Sequence, residues 1–277
     1  MTTADQDADE VHRILNQINR KDEELIALVS NRPRAKRFKI REAYKTKYKT
    51  EIIEDIVNKL SEHYTDTLAP GVELLFEEPA LSDVKQLYIS LKKAIPNPDP
   101  HKVIEIICSR PYTQLKRIKE LYFSMYDKKL DDEISSTLDE ELQKVLCKFL
   151  IVKRSTSMVP DKAACRTKAK EIMDLKPGTW GDGDSALVDT LSTCSSRELI
   201  LVCRYFHANT GKTLPNAMDE EFSGDLGKYM KEILYVLCCP AEFMATKINN
   251  SLLHEKVEYC TAFNIITSRE EYDLKLV

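Results

Sequence analysis

Glycine is scarce in this chain, with seven in 277 residues. A glycine weakens a helix interior by ~1 kcal/mol relative to alanine. Its scarcity, together with abundant Leu, Lys, Glu and Ile, favours helix over strand. Tryptophan is scarcer still, a single residue at position 180. No apolar run is long enough to span a bilayer. The opening segment, MTTADQDADE, has neither the basic stretch nor the apolar stretch of a secretory signal. Metal spacings are missing as well. Of eight cysteines, Cys238 and Cys239 are adjacent and the rest scattered, with no CxxC; the five histidines form no HExxH pair and no triad. Cys108, Cys147 and Cys203 fall at apolar helical positions, so the thiols read as buried and free, as in a reducing cytosol. Excess charge is absent too. At a net charge of −4, bulk electrostatics does not draw the protein to anionic surfaces. Attraction to acidic lipid has to be local or come from a bound cation.

An apolar content of 43% and a charged content of 31% are globular values. The length suits one large core or two ordinary domains. The chain also repeats itself. The segments LIALVSNRPRAKRFKIREAY (25–44), VIEIICSRPYTQLKRIKELY (103–122), LVDTLSTCSSRELILVCRYF (187–206) and AFNIITSREEYDLKLV (262–277) each begin with a short apolar helix. Each then has a Ser/Thr-Arg turn or a variant of it. In the first three a longer amphipathic helix follows. The turn residues Arg32, Arg110, Cys194 and Arg269 are spaced by 78, 84 and 75 residues.

The long helices carry the 3.6-residue period. One stripe is Ile40, Ala43, Tyr44 and Tyr48; another is Leu115, Ile118, Leu121, Tyr122 and Met125; a third is Leu199, Val202, Cys203 and Phe206. Opening helices are predicted at 5–18, 80–95, 162–175 and 240–252, and two further helices close each of the first three units. That makes about five helices per unit of about 75 residues, with no useful β alternation. The fold class is all-α: four five-helix repeats at 1–78, 79–153, 154–238 and 239–277, the fourth incomplete. The polar segment VKRSTSMVPDKA (152–163) reads as a linker that splits the chain after two units.

Five-helix units, a Ser-Arg turn between second and third helices, and TWGDGDSAL with DEEFSGDL in the third unit resemble an annexin over roughly residues 5–277. The divergence is similar to that of a distant branch such as the protozoan alpha-giardins. The resemblance implies Ca²⁺-dependent binding to acidic phospholipid. In that family, carbonyls of a glycine-rich loop between the first two helices of a unit hold the ion. A carboxylate between the fourth and fifth helices caps it. Calcium takes about 6–8 oxygens in tolerant geometry, and glycine's freedom at positive φ lets a loop present several carbonyls. By position, Gly178, Thr179 and Gly181 are the implied carbonyl donors and Glu221, 40 residues after Gly181, is the cap. Asp182 and Asp184 fall where the family has Thr and an acidic residue, so the match is partial. The competing reading is a turn that merely needs glycines. Trp180 rides the same loop and is expected to dip into the lipid interface, where indole rings favourably sit.

The other loops depart from the pattern. Unit one has INRKDEE (18–24) and Lys59 at the cap position, unit two has IPNPDPHK (95–102) and Thr137, and unit four has NNSLLHEK (249–256). Asp99 or Glu255 would hold at most a weak ion, so a one-site protein is expected. Asp66, Gly71 and Glu77 match EF-hand positions, but Leu68 and Pro70 stand where ligands belong.

The segment 32–49 holds nine Lys/Arg and one acid. Two readings stand. One is a solvated helix face. The other is a face for an anionic partner, formed by Arg34, Lys36, Arg37, Lys39 and Arg41, with anionic lipid, nucleic acid, a sulfated glycan or an acidic filament as candidates. The resemblance puts this helix away from the membrane. It also implies a fourth unit continuing beyond EYDLKLV, so the chain is expected to be less stable than a completed version.

The leading expectation is a cytoplasmic protein, peripheral on the inner face of the plasma membrane, with Ca²⁺ bridging the unit-three loop to lipid phosphate. The alternative, which the alpha-giardin likeness implies, is a cytoskeleton-associated structural protein binding a filament or glycan through 32–49. No enzyme activity and no small-molecule substrate are expected, since no nucleophile–base pair or phosphate-cradling loop is present. GDLGKYM is too short for a P-loop, and ANTGKT lacks the earlier glycine. Nucleic acid is not an expected partner of the whole chain.

Overall fold

A computed structural model describes residues 2–18, 22–59, 62–92, 98–253, 259–270 and 274–276, with the backbone alone at 62–68. Among these residues there is no strand. The first repeat contributes α1 (Ala4–Leu15), α2 (Asp22–Ser30), α3 (Arg34–Tyr48), α4 (Ile52–Lys59) and α5 (Glu62–Phe76). The second contributes α6 (Pro79–Leu91), α7 (Pro100–Ser109), α8 (Tyr112–Tyr126), α9 (Leu130–Thr137) and α10 (Glu140–Ile151). The third contributes α11 (Lys162–Met173), α12 (Ala186–Thr193), α13 (Ser196–Thr210), α14 (Leu214–Glu221) and α15 (Gly224–Cys238). The fourth contributes α16 (Pro240–Leu253), α17 (Tyr259–Arg269) and a 3-10 turn at Leu274–Leu276. The span Asp66–Glu77 runs largely within α5, so the EF-hand match is not a loop.

Local chemistry sets the boundaries. Thr3 with Gln6 and Ser195 with Glu198 form capping boxes that satisfy the first amides of α1 and α13. Asp161 caps α11 through the amides of Ala163 and Ala164. The third helix of each complete repeat has 15 residues and ends on a left-handed residue: Lys49, Asp127 or Gly211. That conformation redirects the chain into the next helix.

The chain divides into two compact units, Met1–Ser82 with Met244–Val277, and Asp83–Phe243. In the first, Leu25, Ile40, Tyr44, Ile56 and Phe76 form a buried core, and α17 packs on α5. In the second, α7 packs on α15 and α11 on α13. The expected split at 152–163 is therefore corrected, because that segment lies inside the second unit. It is tied down there: Ser155 N–H donates to Thr193 O at 2.7 Å, Arg154 to Cys108 O at 2.8 Å, and Arg197 to Met158 O at 3.0 Å. Met125 also leaves its predicted stripe and is exposed, while Leu115, Ile118 and Tyr122 are buried.

The Ser-Arg turn has a structural purpose. Arg32 grips Asp7 on α1 at 2.8 and 3.0 Å, holding the Asp7 carboxyl well below its ordinary pKa range. Arg110 grips Asp83 on α6 at 2.8 and 2.9 Å. In repeat three the turn position is Cys194, and the corresponding place on α11 is Cys165; both are buried. Cys165 is close enough to act electrostatically on Cys194, whose thiol burial pushes up to about 11. A buried ion pair has thus become two small apolar groups, an exchange that is often neutral. Restoring half of the pair, as Cys194→Arg, is expected to cost about 3–5 kcal/mol in urea unfolding. Cys165→Asp added to it should recover most of that loss. A double variant no more stable than the single one would refute the equivalence.

Candidate functional site

The loop 174–185 joins α11 to α12. Gly178 sits at φ +81, a conformation that L side chains rarely adopt. Thr179 turns back on Lys176, its amide and Oγ1 both donating to that carbonyl at 3.2 and 2.8 Å. Asp182 N–H donates to Thr179 O at 3.3 Å, and Ser185 Oγ donates to Trp180 O at 2.7 Å. Ser185 also caps α12 through the Val188 amide. Among the described residues, the carbonyls of Gly178 and Gly181 accept no hydrogen bond.

Glu221, the last residue of α14, comes to this loop from 43 positions away, and its carboxylate accepts a hydrogen bond from the Gly178 N–H. Phe222 holds the approach. A Cβ at Gly181 would lie 3.3 Å from Phe222 Cε1, and one at Gly227 would lie 3.2 Å from Phe222 Cβ. Phe222 thus packs tightly on both glycines, its ring on Gly181 and its Cβ and backbone on Gly227, so Gly181 has a packing role besides its carbonyl. Sequence reasoning passed over Phe222. Its signal was the apolar residue directly after the capping acid in DEEFSGDL.

The four predicted residues, Gly178, Thr179, Gly181 and Glu221, thus share one loop pair. Two carbonyls without acceptor duties, a third carrying one long hydrogen bond, and one carboxylate make a hard, all-oxygen donor set. It suits Ca²⁺ and leaves room for outside oxygens. No group of three or more His, Cys, Asp or Glu among the described residues is placed to hold a metal, so carbonyls have to carry much of any coordination. Asp182 and Asp184 are exposed, and Asp184 meets Lys148 at 3.3 Å.

Trp180 is placed otherwise than expected. Its ring is 9% exposed and packs edge-on against Phe206, with centroids 6.3 Å apart and planes at 88°. The expectation of an interfacial indole is corrected: the ring fills the core beneath the loop, where its apolar area is already out of water.

The remaining loops offer less. Lys59 Nζ donates to Asn16 Oδ1 at 2.9 Å, which keeps an ammonium at the unit-one cap position. Asp99 is spent as the N-cap of α7, accepting from the Lys102 amide at 3.1 Å. Asp99 and Thr137 line one cavity of about 470 Å³ with His101 and Asp139, so the same two loops converge in unit two without a carboxylate at the cap position. Residues 19–21 and 95–97 and Glu255 lie outside the described residues.

The anionic-partner face is corrected as well. Arg37 is 0% exposed and donates to Leu75 O at 2.7 Å and to Glu270 at 2.5 and 3.0 Å. Arg34 is buried and donates to Thr267 O. Lys36 pairs with Asp7 at 2.7 Å, Arg41 with Glu51 at 3.3 Å, and Lys47 with Asp9 at 2.5 Å. Lys45 also pairs with Glu51. Lys39 remains exposed on α3. Seven of the nine basic side chains are therefore engaged inside their own unit, where they share the four carboxylates Asp7, Asp9, Glu51 and Glu270.

A family model described as Annexin matches residues 6–70, 82–149 and 174–233, more than half of the chain. Human annexin A13 is 25% identical over 272 residues, covering 98% of this chain and 84% of that protein. The structure of annexin III superposes with a TM-score of 0.82 at 24% identity, covering 98% of this chain and 82% of that one. The structure of a calcium-bound alpha-1 giardin superposes with a TM-score of 0.71 at 14% identity, covering 96% and 86%.

Proposed function

The chain belongs to the annexin family, and from that premise we propose that its third repeat carries one Ca²⁺ site that docks it on acidic phospholipid. Annexins are generally non-enzymatic, bind phospholipid in a calcium-dependent way, and associate with membranes peripherally; the family's ion is Ca²⁺. Among the described residues, no helix is long and apolar enough to cross a membrane. The observation that carries the proposal is the Glu221 carboxylate resting on the Gly178 amide.

Gly178, Thr179 and Gly181 would hold the ion through their carbonyls, and Glu221 through its carboxylate. When bound, the ion supplies positive charge that phosphate oxygens of a lipid can ligate. The protein's own residues do the rest. Gly178 keeps the loop in its left-handed bend, and Phe222 seats the α14–α15 turn against Gly181. Glu221 contributes the one anionic ligand. At a net charge of −4, the chain has no general attraction to an acidic leaflet, so docking depends on the cation. The inner face of the plasma membrane is the matching surface. The cytoskeletal reading keeps the fold likeness to a giardin, but its carrier, the basic face of α3, is mostly spent on internal ion pairs.

Co-sedimentation with phosphatidylserine liposomes tests this. The protein should pellet with the liposomes in calcium and return to the supernatant on chelation. Equal pelleting with and without chelator would remove the mechanism.

A further inference from the structure

Cys203 on α13 and Cys238 at the end of α15 line one cavity of about 470 Å³, walled by Ile200, Leu214, Leu234 and Tyr235. Ile200, Cys203, Arg204 and His207 follow one face of α13, and Leu234, Tyr235 and Cys238 follow one face of α15. The two helices pack directly on each other. Both thiols are half-buried, and all eight cysteines of the chain are free. The groove gives a small solute a way in to both sulfurs, and Arg204, His207 and Lys231 at its wall add positive or polar groups to an otherwise apolar lining.

The two thiols interact. They are near enough to perturb each other, the proximity pushing the pKa of Cys203 down and that of Cys238 up. Burial moves other thiols the opposite way from Cys203: Cys108 is pushed up to about 12, Cys194 to about 11, and Cys147, Cys165 and Cys239 are raised. Thiolate character and access together decide which cysteine an oxidant attacks. Cys203 has both.

We propose that Cys203 and Cys238 are a peroxide-responsive dithiol, joined on oxidation into one disulfide between α13 and α15. The Cys203 thiolate attacks a peroxide oxygen, the O–O bond breaks, and a sulfenic acid forms as hydroxide leaves. Cys238 sulfur then attacks the Cys203 sulfur and water departs. Two thiols and one hydrogen peroxide become one disulfide and two waters. The product closes the chain between α13 and α15 across α14, which restricts the unfolded state. It does so in the repeat that carries Glu221.

The test uses the full chain with hydrogen peroxide at about one equivalent per protein, in the stoichiometry of thiol–peroxide chemistry. Remaining thiols are then blocked with N-ethylmaleimide, and non-reduced peptides are mapped. The expected result is a Cys203–Cys238 linkage as the main product, reversed by dithiothreitol, with an unfolding midpoint several degrees higher. Cys238→Ser should trap a sulfenic acid at Cys203 that dimedone labels. Cys239→Ser should leave the linkage intact, which also controls for folding. Oxidation that begins at the exposed Cys260, or a first disulfide joining Cys165 to Cys194 or Cys203 to Cys239, overturns the proposal.

Discussion

Glu221→Gln should lower calcium-dependent sedimentation with acidic liposomes at least about tenfold, equivalent to about 1.4 kcal/mol, and leave the fold intact. The glutamine carbonyl can still accept from the Gly178 amide that now meets the carboxylate, so the loop pair keeps its shape. What disappears is the one negative ligand in a set otherwise made of neutral carbonyls, and calcium affinity depends strongly on ligand charge. Stability should stay within about 0.5 kcal/mol, since the position is only half-buried. Asp182→Asn and Asp184→Asn are the comparison variants. Both side chains are exposed, and Asp184 already has Lys148, so smaller losses are expected. A liposome titration over calcium concentration measures all three. Unchanged binding by Glu221→Gln would move the site away from repeat three.

Asp83→Ala should destabilise the protein by about 3–5 kcal/mol, the usual range when one partner of a buried ion pair is removed. Asp83 is 1% and Arg110 5% exposed. The pair is two-pronged, and Gln114 Nε2 adds a third donor to the carboxylate at 2.9 Å. Alanine strips a buried guanidinium of this carboxylate and leaves a gap where it lay. Urea unfolding reads the loss. The paired exchange Asp83→Cys with Arg110→Cys, which copies the arrangement at Cys165 and Cys194, should cost much less than Asp83→Ala alone. A loss under about 1 kcal/mol for Asp83→Ala would mean that the pair is more solvated than its burial implies.

Much of the fold was legible because helices leave local traces. Apolar residues recur at 3.6-residue spacing, and the opening helices were placed within a few residues of α1, α6, α11 and α16. The loop pair was legible through the likeness in TWGDGDSAL and DEEFSGDL. The side chains around it were less so. Trp180 read as an interfacial residue because a lone indole in a glycine loop has no local sign of its partner; Phe206 lies 26 residues on. The charged face of α3 misled for the same reason. Its neutralising acids, Asp7, Glu51 and Glu270, are scattered from one end of the chain to the other.

The exchange of an ion pair for two thiols shows the boundary. Cys194 was visible as a variant of the Ser-Arg turn, yet Cys165 meant nothing until α11 and α12 were packed together. By itself, the sequence determined that this protein is an all-helical repeat array with one glycine-rich loop, because composition and helical periodicity are properties of neighbouring residues; the role of that loop came from the family likeness. The tertiary structure alone decided that Trp180 faces inward, that most basic side chains of α3 are held in internal ion pairs, that Phe222 packs on Gly181 beside the Glu221–Gly178 contact, and that Cys203 and Cys238 line one groove. Each of these rests on residues far apart in sequence, where desolvation and pairing depend on what the fold brings alongside and no spacing rule connects the partners.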